Sequence, residues 1–374
     1  SSQGGGIIVD IFHNILLGFQ VASSAENLLF CFIGVLIGTL IGVLPGIGPT
    51  TGVAILIPIT FGMNATTAII TMCGVYYGAM YGGSTTSILL NVPGESASVM
   101  TTLDGYQMAK KGRSGPALGM AALASFIAGT FAILMLTFIA PPLADFAVSF
   151  GPPEYFALTF MGLTLVTSLG GDSPLKGLIS GVIGLLVACV GIDAQSGVAR
   201  FTFENMNLLD GVGFIGMAVG LFAASEVLVN IEEPMQQIFT EAKLSVRSLL
   251  PNLQDWKDCF GALWRGSIIG FFVGVLPGAG ATIASFLAYA VEKKFSRHPD
   301  DFGTGLIEGV AAPEGANNAA AGGAMVSLLT LGIPGSGTTA VLLGALMIHG
   351  LRPGPLLFSN NPQFVWGLIA SMYI

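Results

Sequence analysis

Between Glu26 and Glu95 the chain runs for 68 residues (27–94) without an aspartate, glutamate, lysine or arginine. No water-exposed surface can be built from such a stretch. One helical crossing of a bilayer takes only about 20 apolar residues, so the stretch crosses or re-enters a membrane several times. Charge-free runs recur at 114–144, 155–171, 177–192, 211–225, 266–291 and 315–351. Over all 374 residues, 53% are hydrophobic and 9% charged, where a soluble domain carries about a quarter charged. The mean hydropathy of +0.79 also excludes a disordered chain, which would be polar. Strand-like alternation is weak, against an outer-membrane barrel. The expected fold is an all-α polytopic membrane protein whose surroundings are the lipid bilayer. The net charge of −8 sits largely in loops, so nucleic acid is not an expected partner.

The most informative pattern is a repeat. Residues 34–48 read GVLIGTLIGVLPGIG and residues 266–280 read GSIIGFFVGVLPGAG. Glycine stands at every fourth position in both: Gly34, Gly38, Gly42 and Gly46, then Gly266, Gly270, Gly274 and Gly278. The offset is 232 residues (266 minus 34), and both ladders end in Gly-Val-Leu-Pro-Gly. A second pair of Pro-Gly motifs follows in the same order, Val92–Ser96 after Ser84–Ser87 and Ile333–Thr339 after Gly322-Gly323. The expected organisation is an N-terminal segment (1–24), a first repeat unit (25–235), a cytoplasmic connector (236–258) and a second unit (259–374) that stops inside an apolar segment. The opening residues 1–6 lack the basic start of a signal peptide and read as an added remnant.

Glycine every four residues makes a smooth helix face on which another backbone can lie closely. That packing role suffices for Gly34, Gly38, Gly266 and Gly270. The Pro-Gly ends differ, because proline stops the helix within an apolar run. Backbone left unpaired there is tolerated only against protein or a wet cavity. Lys257 and Arg265 precede the second ladder, and Lys293, Lys294 and Arg297 follow it. With both clusters cytoplasmic, the segment is a re-entrant helical hairpin turning at 277–280, and 27–62 is its counterpart. Spans are expected at about 115–139, 154–169, 174–192 and 209–229. Discontinuous helices of this kind accompany inverted repeats, the expected relation here.

Each break starts a new half-helix, whose free N–H groups and positive dipole end favour an anion. The anion contacts are expected at Gly46, Gly48, Thr50 and Thr51, at Ser96, at Gly278, Gly280 and Thr282, and at Gly335, Ser336 and Thr338. Asn317 and Asn318, beside an apolar run, are expected to face the interior or water and join that set. Carbonyls at the ends of the preceding half-helices suit Na⁺, which puts Pro45, Gly46, Asn91, Pro277, Gly278 and Pro334 on the cation side with the Glu314 carboxylate. H⁺ is the other coupling ion considered, with Glu314 or Glu95 as relay. Glu95 is equally readable as a simple helix-start acid. Asp104, Asp172, Asp193 and Asp210 read as loop or boundary residues. Cys31, Cys73, Cys189 and Cys259 show no pairing or metal spacing and read as packing residues. Three histidines (His13, His298, His349) are too few for a transition-metal cluster, and no cofactor is expected beyond the coupling ion.

The strings GVLPGIGPTTGVAILIPITF (42–61), YGGSTTSILLNVPGE (81–95) and APEGANNAAAGGAMVSLLTLGIPGSGTTAVLLGAL (312–346) resemble the large membrane subunit of the tripartite tricarboxylate transporter family. The resemblance implies a multi-pass protein of the bacterial inner membrane that imports a tricarboxylate-like solute with a cation. It further implies a small membrane subunit and a periplasmic solute-binding protein as partners. An anion channel with re-entrant loops is the alternative. An intramembrane enzyme would need a serine–histidine or paired-aspartate constellation, which the residues do not supply.

Overall fold

A computed structural model describes residues 3–44, 46–151, 173–192, 198–209 and 249–374, with isolated positions between 153 and 161 and between 211 and 228. Helix α1 (Gln3–Ala22) gives way at Ser23-Ser24 to α2 (Ala25–Val43), where the Ser24 hydroxyl accepts from the Asn27 N–H. Leu44 turns extended and ends α2. A short return helix, α3 (Gly48–Leu56), begins with Pro49 in its first turn, where the missing N–H costs nothing. Next comes α4 (Ala65–Leu90), capped by Asn64 at its start and closed by Asn91 in the left-handed region (φ 59°). A 3₁₀ turn (Ser96–Ser98) then leads into α5 (Val99–Lys110), followed by the long α6 (Ser114–Val148) and by α7 (Pro174–Ala188).

The C-terminal part is again built of helices that end at extended or left-handed residues. Helix α8 (Leu253–Val275) ends at an extended Leu276, and α9 (Gly280–Phe295) returns. Helix α10 (Glu308–Leu331) ends at Gly332 (φ 69°), and α11 (Gly337–Ile348) and α12 (Pro362–Ser371) follow. The strands described are one antiparallel two-residue pair, Gly191–Ile192 with Ala199–Arg200. The all-α polytopic architecture with discontinuous helices is therefore as expected. Three of the described helices, α2, α6 and α8, are long and apolar enough to cross a membrane. Helix α6 contains the expected 115–139 span and α7 most of 174–192. The expected spans 154–169 and 209–229, Pro45, Asp172, Asp193 and Asp210 lie wholly or largely outside the described residues.

The glycine ladders hold the two long buried helices. A Cβ on Gly34, Gly38 or Gly42 would land on the carbonyl oxygens of Thr71, Val75 or Ala79 of α4. On Gly266, Gly270 or Gly274 it would land on those of Ala312, Ala316 or Ala320 of α10. Both series ascend together, so α2 runs parallel to α4, and α8 to α10, with van der Waals contact backbone to backbone. Two parallel helices close in sequence require a piece between them that runs back, and α3 and α9 are those pieces. The Arg265 guanidinium donates to both carboxylate oxygens of Glu292, at 2.7 and 2.6 Å, which ties the middle of α8 beside the end of α9. From that pair the arms reach the break in about ten and twelve residues, roughly 15–18 Å at the helical rise. That is about half of a ~30 Å hydrocarbon core.

Helix α10 is buried along almost its whole length, packed between α8, α9 and α6. Asp104 corrects the sequence reading: it is no boundary residue but fully buried. Its carboxylate accepts from the backbone N–H groups of Gly303, Gly305 and Leu306 at 2.8–3.1 Å and from the Tyr289 hydroxyl at 2.8 Å. It thereby fastens the loop before α10 to α5. Cys31, Cys73 and Cys259 are buried free thiols, as expected of packing residues.

Candidate functional site

Because α2, α4, α8 and α10 all end at Pro-Gly breaks, the question is whether those ends meet. They do, around one cavity of about 640 Å³. The first break contributes Gly46–Thr50, the second Pro93–Ser96, the third Ala279–Ile283 and the fourth Ser336–Thr338, with Tyr76 and Met80 of α4 forming a wall. Glycine is needed at the turning points: Gly46, Gly48, Gly278 and Gly280 have φ of 88°, 58°, 77° and 63°, a region in which an L side chain is strained. The second and fourth breaks are pressed against the ladder tops, since a Cβ on Gly94 or Gly335 would run into the carbonyl of Gly42 or Gly274.

The half-helix starts are not alike. Helix α11 is capped by its own residues, Ser336 and Thr339 exchanging bonds in a capping box. At the second break the Glu95 N–H donates to the Ser98 hydroxyl, and the Glu95 carboxylate accepts only a long bond from the Ala97 N–H. Helices α3 and α9 begin at Ile47 and Ala279, which supply no side-chain cap. No cap side chain takes up the N–H groups of their first turns. Two hydroxyl pairs bridge the breaks crosswise: Thr50 with Thr338 at 2.8 Å, and Ser96 with Thr282 at 2.7 Å. Each joins a residue of the N-terminal part to one of the C-terminal part. Among the described residues, no lysine, arginine or histidine lines the cavity. An anion there would meet amides, hydroxyls and dipole ends.

Of the expected anion contacts, Gly46, Gly48, Thr50, Ser96, Gly280, Thr282, Ser336 and Thr338 line the cavity. Thr51, Gly278 and Gly335 are next to lining residues but do not line it. Glu314, Asn317 and Asn318 lie elsewhere, in a fully buried cluster between α10, α4, α5 and α6. The Glu314 carboxylate accepts from Ser84 (2.6 Å), Thr101, Asn317 (3.4 Å) and Ser125 (3.5 Å). Asn318 donates to Ser125 and to Asn317. On the cation side, Asn91 is the left-handed cap of α4, and Pro277 and Pro334 stand beside the lining rather than in it. Sequence reasoning did not select Tyr76 or Met80, whose positions in a buried apolar helix carry no distinguishing signal. It left Glu95 undecided; the side chain both caps its turn and faces the cavity.

Polar half-helix ends converging on a cavity inside an apolar helical bundle define a multi-pass membrane protein of the discontinuous-helix transporter class. A model of the tripartite tricarboxylate transporter TctA family matches residues 28–374. The chain belongs to that family and is thus a membrane subunit of a tricarboxylate-transporter system. It is 49% identical over 367 residues to an "uncharacterized 52.8 kDa protein in TAR-I ttuC' 3'region" of Agrobacterium vitis, covering 98% of this chain and 73% of that protein. A second Agrobacterium vitis relative, from the "TAR-II ttuC' 3'region", is 51% identical over 105 residues, 28% of this chain and 43% of its own length. No solved structure matches.

Proposed function

We propose that the chain is the transport subunit of a secondary carrier that imports a carboxylate solute with a coupling cation, and that the cavity between the four breaks is the solute site. The observation that carries this reading is the meeting of the two uncapped helix starts, α3 and α9, at a cavity with no basic side chain among the described lining residues. Amide donors and dipole ends bind a carboxylate without leaving a buried positive charge when the solute departs. Carbonyls of the unwound segments would hold Na⁺ as the coupling ion. The assembly would include a small membrane subunit and a periplasmic solute-binding protein, in the bacterial inner membrane.

An anion channel would use the same re-entrant pieces, but the crosswise hydroxyl pairs tie the breaks to one another across the cavity and favour a carrier. The test is uptake of labelled citrate, tartrate and succinate into proteoliposomes of the complete transporter, with and without a Na⁺ gradient. Saturable, gradient-dependent uptake that drops at least fivefold in Gly48→Leu or Gly280→Leu is expected. Ohmic anion current, or undiminished uptake by both variants, would refute the reading.

A further inference from the structure

One atom in the cavity lacks what its chemistry requires. Glu95 is 9% exposed, lines the cavity, and its Oε1 is buried without a hydrogen-bond partner. Its Oε2 takes a single long bond, 3.4 Å, from the Ala97 N–H. Glu314 is the useful contrast. That carboxylate is also completely buried, and four side-chain donors surround it. Two buried acids in one protein are thus equipped differently, one with the donors an anion requires and one without them. A buried carboxylate with one weak donor is far costlier than the same group as a neutral acid.

Among the described residues no counter-charge is at hand for Glu95. The elements packed on its turn are α4, α5, α9 and α10. Helix α4 brings Tyr76, which bonds to Ser336 at 3.5 Å, and Tyr77, whose hydroxyl is itself unpartnered. Helix α10 brings Glu314, a like charge. On α5, Asp104 is engaged with the 303–306 loop and Lys110 lies in the last turn. On α9, Tyr289 is bonded to Asp104, Glu292 is held by Arg265, and Lys293 and Lys294 are in the last turn. Helix α3, whose first residue Gly48 lies against the Glu95 side chain, and α11 carry no ionisable residue.

We propose that Glu95 is the proton carrier of the transport cycle: an uncharged carboxyl that offers its O–H to a carboxylate of the bound solute, so that one proton enters with each solute molecule. This rests on the reading of the cavity as the solute site. The proton is taken up on Oε1 from the outside while the cavity is open outward, and is released to the inside after the solute leaves. Only the O–H bond is made and broken, and the transported unit gains one positive charge. The donor also completes recognition, because it adds an acid O–H beside the amides at the starts of α3 and α9. Glu314, already saturated, holds α10 against α4, α5 and α6 and takes no part in proton movement.

The experiment reads protons per solute rather than rate. The complete transporter is placed in proteoliposomes with a trapped pH dye, equal Na⁺ on both sides and the membrane potential clamped. Labelled citrate, tartrate and succinate are offered in turn. The wild type is expected to move about one proton inward per solute. Glu95→Asp is expected to keep that ratio, and Glu95→Gln to bring it to zero at whatever residual rate it retains. A wild type that takes up solute without proton movement overturns the proposal, and so does an unchanged ratio in Glu95→Gln. Should Glu95→Gln fail to insert, the wild-type ratio and that of Glu95→Asp still decide. Absence of uptake of every solute by the wild type would instead bring down the carrier reading itself.

Discussion

The tightest physical statement concerns Gly38. A Cβ added there would coincide with the Val75 carbonyl oxygen and stand 2.6 Å from Val75 Cα and 2.8 Å from its carbonyl carbon. All three are backbone atoms of a buried helix, so no rotamer change can relieve the overlap. Ordinary contact begins at 3.4 Å, so α2 and α4 must part by at least 0.8 Å. A gap of about that size forfeits a quarter to a half of each contact, so on the order of forty atom pairs at ~0.15 kcal/mol lose about 2 kcal/mol. The weak Cα–H···O contacts of the ladder add about 1 kcal/mol to the loss. Alanine's better helix propensity returns about 1 kcal/mol, so Gly38→Ala is expected to destabilise by a net ~2 kcal/mol. Gly270→Ala, whose Cβ would meet Ala316 at the same 2.6 and 2.8 Å, should cost the same. Gly129 of α6 has nothing within 4 Å, and Gly129→Ala should gain up to about 1 kcal/mol. Unfolding titrations of the purified variants with SDS measure all three. Gly38→Ala within 0.5 kcal/mol of wild type, or as stable as Gly129→Ala, would refute the close-packing argument.

Asp104→Ala strips the acceptor from three backbone N–H groups and the Tyr289 hydroxyl. At about 1–3 kcal/mol per unsatisfied donor it should free the 303–306 loop, read as faster amide exchange there than in wild type. Glu314→Ala leaves the donors around its carboxylate unpaired and should lose several kcal/mol, about 3–5 by analogy with broken buried polar pairs; Glu314→Gln should lose clearly less, and thermal inactivation in detergent ranks them. Arg265→Ala leaves the buried Glu292 without its bidentate partner, but the guanidinium is 38% exposed, so screening holds the expected cost to about 1–3 kcal/mol, between the exposed and buried limits. Arg265→Lys should restore only part of that, because it cannot make both bonds.

Much of this arrangement could be read from the residues because the informative ones act through the backbone. Glycine at every fourth position and Pro-Gly at the ladder's end leave a chain few alternatives, so the breaks and the cavity-lining Gly48, Thr50, Gly280 and Thr282 follow from spacing alone. What could not be read depends on neighbours remote in sequence. Asp104 meets a loop about 200 positions away, and Glu314 meets Ser84, Thr101 and Ser125 on three other helices. Neither an acid's burial nor its donors are encoded in its own surroundings. The same limit left Glu95 open: local sequence reveals a cap, and only the assembled cavity reveals the oxygen that the cap does not use.

The crosswise hydroxyl pairs also say something about time. Thr50–Thr338 and Ser96–Thr282 are the side-chain hydrogen bonds described between the break residues of the two parts. Hydroxyl bonds of this type exchange for water at a net cost of only about 1 kcal/mol each. The ladders beneath them cannot shift by even an ångström without losing more. Thermal motion will therefore be spent at the tips, while each ladder pair moves as a stiff unit. Opening should be quick compared with unfolding, and its pace should depend on water reaching four hydroxyls rather than on any helix letting go of its neighbour.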